Sequence, residues 1–368
     1  MSVQAIIKSG GARYWGGAVV VTAALGALMS AWRVPSGWLI AALLSAGAVA
    51  VATGHELTPH KRVLRPAQGV IGIIAAAPLA GVATTTMARY LGVSALCSGA
   101  TLLLCLGCAL VLARAAKTLS PASALLSTLA GGASGISTMA PDLRVDHRYV
   151  ALSQYLRLIV VTLTLPVVLQ LAGGHPNMTG HTDNHATVLS VGAAAAIIFG
   201  AGQLGLRLKW PAPYLLATML AALLIEMITQ GQFVPALPSP ILIAAYVVIG
   251  WQAGGSFTRS SIRQFLRLMP LTCTFVGLAI GGCLGLAAAV SSWTDLSLAQ
   301  AYLATTPGGI YAVLGAANDS GAGPLVVTMQ VFRLLVMVAT AIVGAKLLQP
   351  DRAPAVKTPR PTLAPAPA

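Results

Sequence analysis

Twelve apolar runs, most of them long enough to cross a bilayer, follow one another down this 368-residue chain with short polar loops between them. Lipid offers the backbone no water to bond, so runs of this length are expected to close their hydrogen bonds as helices. They fall at residues 14–32, 38–53, 66–83, 91–113, 122–140, 150–172, 186–206, 212–228, 241–254, 270–290, 298–316 and 324–348. With 57% of residues hydrophobic and 8% charged, a soluble globular domain is excluded. The expectation is an all-α polytopic membrane protein whose first partner is the lipid bilayer. The first run lacks a convincing small-residue cleavage site and is read as an anchor.

The runs are not independent of one another. TTPGGIYAVLGAANDSGAGPLVVTMQVFR at 305–333 has an earlier counterpart in LAGGASGISTMAPDLRVDHRYVALSQYLR at 129–157. Aligned without a gap, Gly132 falls on Gly308, Asp142 on Asn318, Gln154 on Gln330 and Arg157 on Arg333. VPSGWLIAALL from Val34 matches WPAPYLLATML from Trp210, and Val70 to Gly72 matches Val248 to Gly250. The duplication therefore covers almost the whole chain. It gives a first membrane repeat at 1–172, a second at 173–348, and a basic Pro/Ala-rich tail at 349–368 that has no means of burying a core and is read as disordered.

Charge gives the two repeats opposite senses. The net charge of +14 comes without a basic, aromatic-interleaved module outside the apolar runs, so direct nucleic-acid binding is not expected, and the excess reads as positive-inside charge. Lys61, Arg62, Arg65, Arg114, Lys117, Arg144 and Arg148 mark the second, fourth and fifth loops as cytoplasmic; Arg207, Lys209, Arg259, Arg263 and Arg267 mark the seventh and ninth. The second-half counterparts of loops two, four and five lack Lys and Arg, while Arg33 and Arg89 are left outside. Loops four and five share a side only if the glycine-rich segment between them enters and leaves by the same face. This predicts an inverted-topology internal repeat of about ten transmembrane helices plus two re-entrant or broken glycine-rich segments, with both termini cytoplasmic. Full crossing by each glycine-rich segment is the competing arrangement.

The residues able to carry chemistry cluster at the breaks. Backbone leaves a helix at membrane depth only where protein buries it or water reaches it. Gly131, Gly132, Pro307, Gly308 and Gly309 would free amides there and present half-helix N-termini suited to an anion; tight helix packing is the structural alternative. Gln154 with Arg157, and Gln330 with Arg333, lie three apart and share a helix face. A guanidinium that deep needs a partner, either an anionic ligand held bidentately, the free carbonyls of the break, or a carboxylate such as Asp142 or Asp319. Ser134, Thr305 and Thr306 supply hydroxyls beside the breaks. Asp142, Asn318 and Asp319 are the candidates for meeting a coupling ion, with helix-tip capping as their structural alternative.

Other groups argue for little. The five cysteines lie inside apolar runs and form neither a disulfide framework nor a metal set. His175, His181, Asp183 and His185 share one polar loop, read as solvated rather than as a zinc site. No Ser-His-Asp arrangement, phosphate loop or cofactor motif is apparent, so neither an enzyme nor a cofactor is expected.

ATTPGGIYAV and GGASGISTMA, each followed by Gln-x-x-Arg, together with the VIGWQAG run at 248–254, resemble the AbrB family of bacterial inner-membrane proteins. The resemblance covers nearly the whole chain, including the duplication. It implies a bacterial inner-membrane location and kinship with antiporter and anion-transporter folds. It is not a resemblance to the soluble DNA-binding regulator that shares the name. Family members carry names of two kinds, gene regulator and ammonia monooxygenase. The monooxygenase name finds no support, since all six histidines lie in loops. The reading is a secondary transporter-like protein for a small anionic metabolite bound between inverted repeats. Its alternative is a membrane-embedded regulator or sensor acting on gene expression without net transport. The sequence is compatible with a homo-oligomer.

Overall fold

The computed structural model describes residues 12–32, 34, 36–79, 82, 84–116, 119–130, 145, 147–172, 187–208, 210, 212–229, 237–256 and 269–348. Gly131, Gly132, Ser134, Asp142, the histidine-bearing loop and the tail lie outside the described residues.

Among the described residues the structure is helical, without strands. The helices are α1 (Ala12–Ala31), α2 (Gly37–Thr53), α3 (Lys61–Ala76), α4 (Thr84–Ala115), α5 (Pro121–Thr128), α6 (His147–Leu171) and α7 (Val188–Arg207). There follow α8 (Pro213–Ile228), α9 (Ser239–Gly254), α10 (Met269–Trp293), α11 (Leu298–Thr305), α12 (Ile310–Asp319) and α13 (Pro324–Leu347). Six of these, α1, α4, α6, α7, α10 and α13, are long and apolar enough to cross a membrane; α2, α8 and α9 are apolar but shorter. Their outward faces carry large apolar side chains such as Val20, Leu103, Leu171 and Leu278, as a lipid-facing surface requires.

In the run at 122–140 the opening helix ends at Thr128, and residues 131–140 lie outside the described residues; the run at 298–316 is split by Thr306–Gly309 into α11 and α12. At 1.5 Å per residue, α5 and α11 (8 residues each) reach about 12 Å and α12 (10 residues) about 15 Å, at most half of a roughly 30 Å hydrocarbon core. Both short lead-in helices start on a serine cap. Ser120 accepts from the Ser123 amide, and Ser297 forms a full capping box with Gln300. α3 also begins earlier than the apolar run, because the His60 side chain caps it at Arg62 and its basic first turn needs no lipid.

Small residues let the helices interlock across the two halves. Gly72 of α3 sits against the Leu215 carbonyl of α8, and Gly250 of α9 sits against the Leu39 carbonyl of α2. Gly254, one turn on, meets the Leu43 carbonyl, so α2 and α9 run in parallel. α4 and α10 run antiparallel, with Leu104 lying over Gly282 and Leu112 clustering with Phe275. These two helices also bury matching faces at one constant offset in the sequence: Ser94 and Thr272, Cys97 and Phe275, Ser98 and Val276, Thr101 and Ala279, Cys105 and Cys283, Ala109 and Ala287, Leu112 and Val290 are each buried in both. Among the described residues two non-glycines take left-handed backbone, Ser36 before α2 and Ala212 before α8. They too are equivalent, at the same offset that pairs Gln154 with Gln330.

Candidate functional site

Among the described residues, the polar groups that stand out for depth are the two Gln-x-x-Arg pairs, on α6 and α13. All four side chains are buried, the arginines at 4% exposure each. A helix that stops inside a membrane leaves its last carbonyls unbonded, and no water is there to take them. Gln154 Nε2 donates to the carbonyls of Leu126 and Leu129 at the end of α5, and Arg157 Nη1 donates to Leu129 O at 2.6 Å. Arg157 Nη2 donates to Gln154 Oε1 at 2.7 Å, which holds the pair as one rigid clasp. On α13 the arrangement recurs. Gln330 Nε2 donates to Leu303 O and Ala304 O, Arg333 Nη1 to Thr305 O at 2.8 Å, and Arg333 Nη2 to Gln330 Oε1. Each guanidinium thus sits where the helix dipole is negative, at the C-terminus of a short helix.

Each arginine braces a carbonyl at a break, the structural alternative stated for it, and Asp142 lies outside the described residues. The helix ends correct the register of the repeat around the break. Ser120 caps α5 as Ser297 caps α11, and the two helices end on Thr128 and Thr305, so in the sequence Gly131-Gly132 matches Gly308-Gly309, whereas the gapless alignment set Gly132 on Gly308. The first half is therefore one position shorter in its offset at the clasp than at the break, with the extra residue between its glycines and Gln154. Thr128 and Thr305 confirm the match, since each Oγ1 donates to the carbonyl of a buried cysteine, Cys105 at 3.2 Å and Cys283 at 3.0 Å.

The described break runs Thr306, Pro307, Gly308, Gly309. Gly308 lies against Val161 and Gly309 against Leu158, on the turn of α6 that follows Arg157. The second break therefore rests on the helix that clasps the first. Close approach is what these glycines supply; a Cβ on Gly309 would stand 2.8 Å from Leu158 Cδ1. Neither arginine meets a carboxylate among the described residues. Three buried polar atoms here, Arg157 Nε, Arg333 Nε and Thr306 Oγ1, have no hydrogen-bond partner among those residues.

Asn318 and Asp319 stand apart from this centre, at the far end of α12. Asp319 Oδ2 accepts from the Ser36 amide at 2.8 Å, and Ser36 Oγ reaches the Ala312 carbonyl. A carboxylate is disfavoured at the C-terminus of its own helix but favoured at the N-terminus of α2, where Asp319 has been placed. Asp319→Ala is expected to lower stability by about 2 kcal/mol, the worth of one charge-assisted bond, measurable as a lower melting temperature in detergent. An unchanged melting point would remove the capping role. Sequence reasoning could not find this bond, whose partners lie in opposite halves of the chain.

A small cavity of about 20 Å³ lies beside Arg157 between α4, α5, α6 and α10. Tyr149, Ser153 and Thr272 bring hydroxyls to its wall, and Leu104, Leu112 and Phe275 bring apolar surface. Tyr149 and Thr272 bond to each other at 2.9 Å. None of these wall residues stood out in the sequence, because nothing in their spacing marks them as neighbours of Arg157.

Comparison with known proteins agrees with these features. The family described as "Transition state regulatory protein AbrB" matches residues 12–349. The chain is similar to "Putative regulator AbrB" of Escherichia coli (strain K12), at 28% identity over 341 residues, covering 91% of this chain and 96% of that one. It is also similar to "Uncharacterized protein YhjN" of Bacillus subtilis (strain 168), at 25% identity over 346 residues, covering 87% and 89%. The match takes in both Gln-x-x-Arg clasps and both breaks, and the chain belongs to the AbrB family.

Proposed function

We propose that this protein is a secondary-transporter-like carrier of the bacterial inner membrane, not an enzyme, that binds a small anionic metabolite between two halves of inverted topology. One observation carries the reading: two buried guanidiniums share a site with no carboxylate among the described residues. Each neutralises a helix C-terminus worth roughly half a charge, so about one positive charge is left over at low dielectric. Among the described residues the two Nε donors have no acceptor, and a carboxylate ligand would supply acceptor and charge together.

The helix directions support inversion. Equivalent helices α4 and α10 run antiparallel, while α2 and α9, which occupy different places in their repeats, run parallel. Twelve full crossings would reverse both relations. The shortness of α5, α11 and α12 supports two re-entrant segments beside ten crossing helices. So does the clustering of Val290 at the end of α10 with Ala299 at the start of α11, Ala317 near the end of α12 and Leu325 at the start of α13. The termini are then both cytoplasmic.

Counterflow in proteoliposomes tests the reading, with labelled acetate, pyruvate and succinate as probes. The native protein is expected to exchange at least one of them, and Arg157→Gln and Arg333→Gln to fall to the level of empty liposomes. Flux that persists unchanged in both folded variants would overturn it. The Escherichia coli relative's name favours a second reading, in which the same anion site reports its occupancy to a partner that affects gene expression. Anion-dependent thermal stabilisation without flux, lost in both variants, would select that reading.

A further inference from the structure

Buried polar atoms without a partner are rare in a folded protein, because each one carries a desolvation cost that no bond offsets. Here they gather in one place. Of seven such side-chain atoms among the described residues, five belong to α6, to α13, and to α11 with the break that follows it: Arg157 Nε, Thr162 Oγ1, Tyr302 Oη, Thr306 Oγ1 and Arg333 Nε. The three hydroxyls are separate from the clasps. Thr162, Tyr302 and Thr306 are 1%, 0% and 0% exposed.

These hydroxyls stand on two surfaces packed against each other. Tyr302 and Thr306 are one turn apart at the end of α11, where the Thr306 amide donates to the Tyr302 carbonyl at 2.7 Å. Their side chains are neighbours, yet no bond joins the two hydroxyls. Opposite them is the side of α6 on which Leu158 meets Gly309, Val161 meets Gly308 and Leu165 shares a cluster with Tyr302. Thr162 is on that side, one turn from Leu158 and one from Leu165. A threonine within a helix commonly returns its hydroxyl to the carbonyl four residues back, as Thr101, Thr164 and Thr218 do. Thr162 does not. Arg333 is close by, because the carbonyl it holds belongs to the peptide that joins Thr305 to Thr306.

The duplication shows that this fold can be built without the three hydroxyls. At the offset of the breaks Tyr302 and Thr306 correspond to Leu125 and Leu129, and at the offset of the clasps Thr162 corresponds to Val338. All three equivalents are apolar and buried. The packing is of the same kind, since Leu125 and Leu129 cluster with Ala341 of α13 as Tyr302 clusters with Leu165 of α6, and Ala341 and Leu165 are themselves equivalent. One half makes this contact from leucine and valine. The other places unbonded hydroxyls in it.

We infer that Tyr302, Thr306 and Thr162 form a hydroxyl-binding subsite next to Arg333, and that the anion bound is a small hydroxycarboxylate. The inference rests on the anion-carrier reading and names the substrate class of that same site. Each of the three hydroxyls both donates and accepts, which matches an alcohol, itself donor and acceptor. An ammonium group in its place would face two guanidiniums with no carboxylate among the described residues to balance them, which disfavours an amino acid.

The test compares hydroxy acids with their deoxy partners, lactate with propionate and malate with succinate, by titrating the thermal stabilisation of the purified full chain in detergent. The native protein is expected to bind the hydroxy acid of at least one pair about tenfold more tightly than its partner, the discrimination one buried hydrogen bond supports. Tyr302→Phe, Thr306→Val and Thr162→Val each remove one hydroxyl and keep the shape. Each is expected to melt no lower than the native protein without ligand, since no bond is lost, and to reduce the preference for the hydroxy acid. The variants stand on two elements, so one that fails to fold leaves the others to decide. Lower melting of every folded variant without ligand would show that the hydroxyls bond within the protein and would overturn the inference. So would carboxylate binding that distinguishes neither pair, a preference that survives every folded variant, or alanine bound as tightly as lactate. Binding of no carboxylate at all is the distinct result that overturns the anion-carrier reading itself.

Discussion

Replacing Arg333 by Ala is expected to destabilise the protein on the order of 3 kcal/mol and to abolish its response to anions. Two donated bonds disappear, the Thr305 carbonyl is left buried without a donor, and Gln330 loses the group that orients it. Hydrogen bonds in membrane proteins are individually modest, and most of the loss comes from the stranded carbonyl and the uncompensated end of α11. Arg333→Lys separates the two roles. An ammonium keeps the charge at the helix terminus but cannot span Thr305 O and Gln330 Oε1 while offering a further planar donor. Melting temperature should recover in part, while stabilisation by added carboxylate should not. A lysine variant that binds anions as the native protein does would leave Arg333 a brace and nothing more.

Gly254→Ala is expected to destabilise by roughly 2 kcal/mol or more, for a different reason. The added Cβ would lie 1.9 Å from the Leu43 carbonyl oxygen, and both atoms belong to helix backbones that cannot yield separately. Gly281→Ala is the control, since nothing lies within 4 Å of the position its Cβ would take. Thermal unfolding of both in detergent should show a loss for the first and none for the second. Equal melting points would show that α2 and α9 are not in the contact that sets their direction.

The parts of this arrangement that the sequence discloses are those governed by local chemistry. Apolar length placed α2, α9 and α13 close to their observed ends, and the depth of Arg157 and Arg333 marked them as needing partners. The free carbonyls of the breaks were one of three partners the sequence offered, and which carbonyls they are was not legible. A carbonyl stranded at the end of α5 exists only because α5 stops at Thr128, inside a run that is apolar to residue 140. The register slipped by one because the alignment was anchored on Gln-x-x-Arg, and the extra residue lies between Gly132 and Gln154. Asp319 was legible as a cap, but its helix was not, since Ser36 comes near only through the packing of α12 on the other half.

The sidedness of Lys61 and Arg207 tests the inverted arrangement most directly, because both are exposed and each stands at a helix end. Single cysteines at these positions in a cysteine-free background can be labelled with an impermeant reagent in intact cells and in inside-out vesicles. Opposed halves with re-entrant segments predict that both label only from the cytoplasm. Labelling of Lys61→Cys from the cytoplasm and Arg207→Cys from outside would mean that the glycine-rich segment of the first half crosses fully, and would contradict the account.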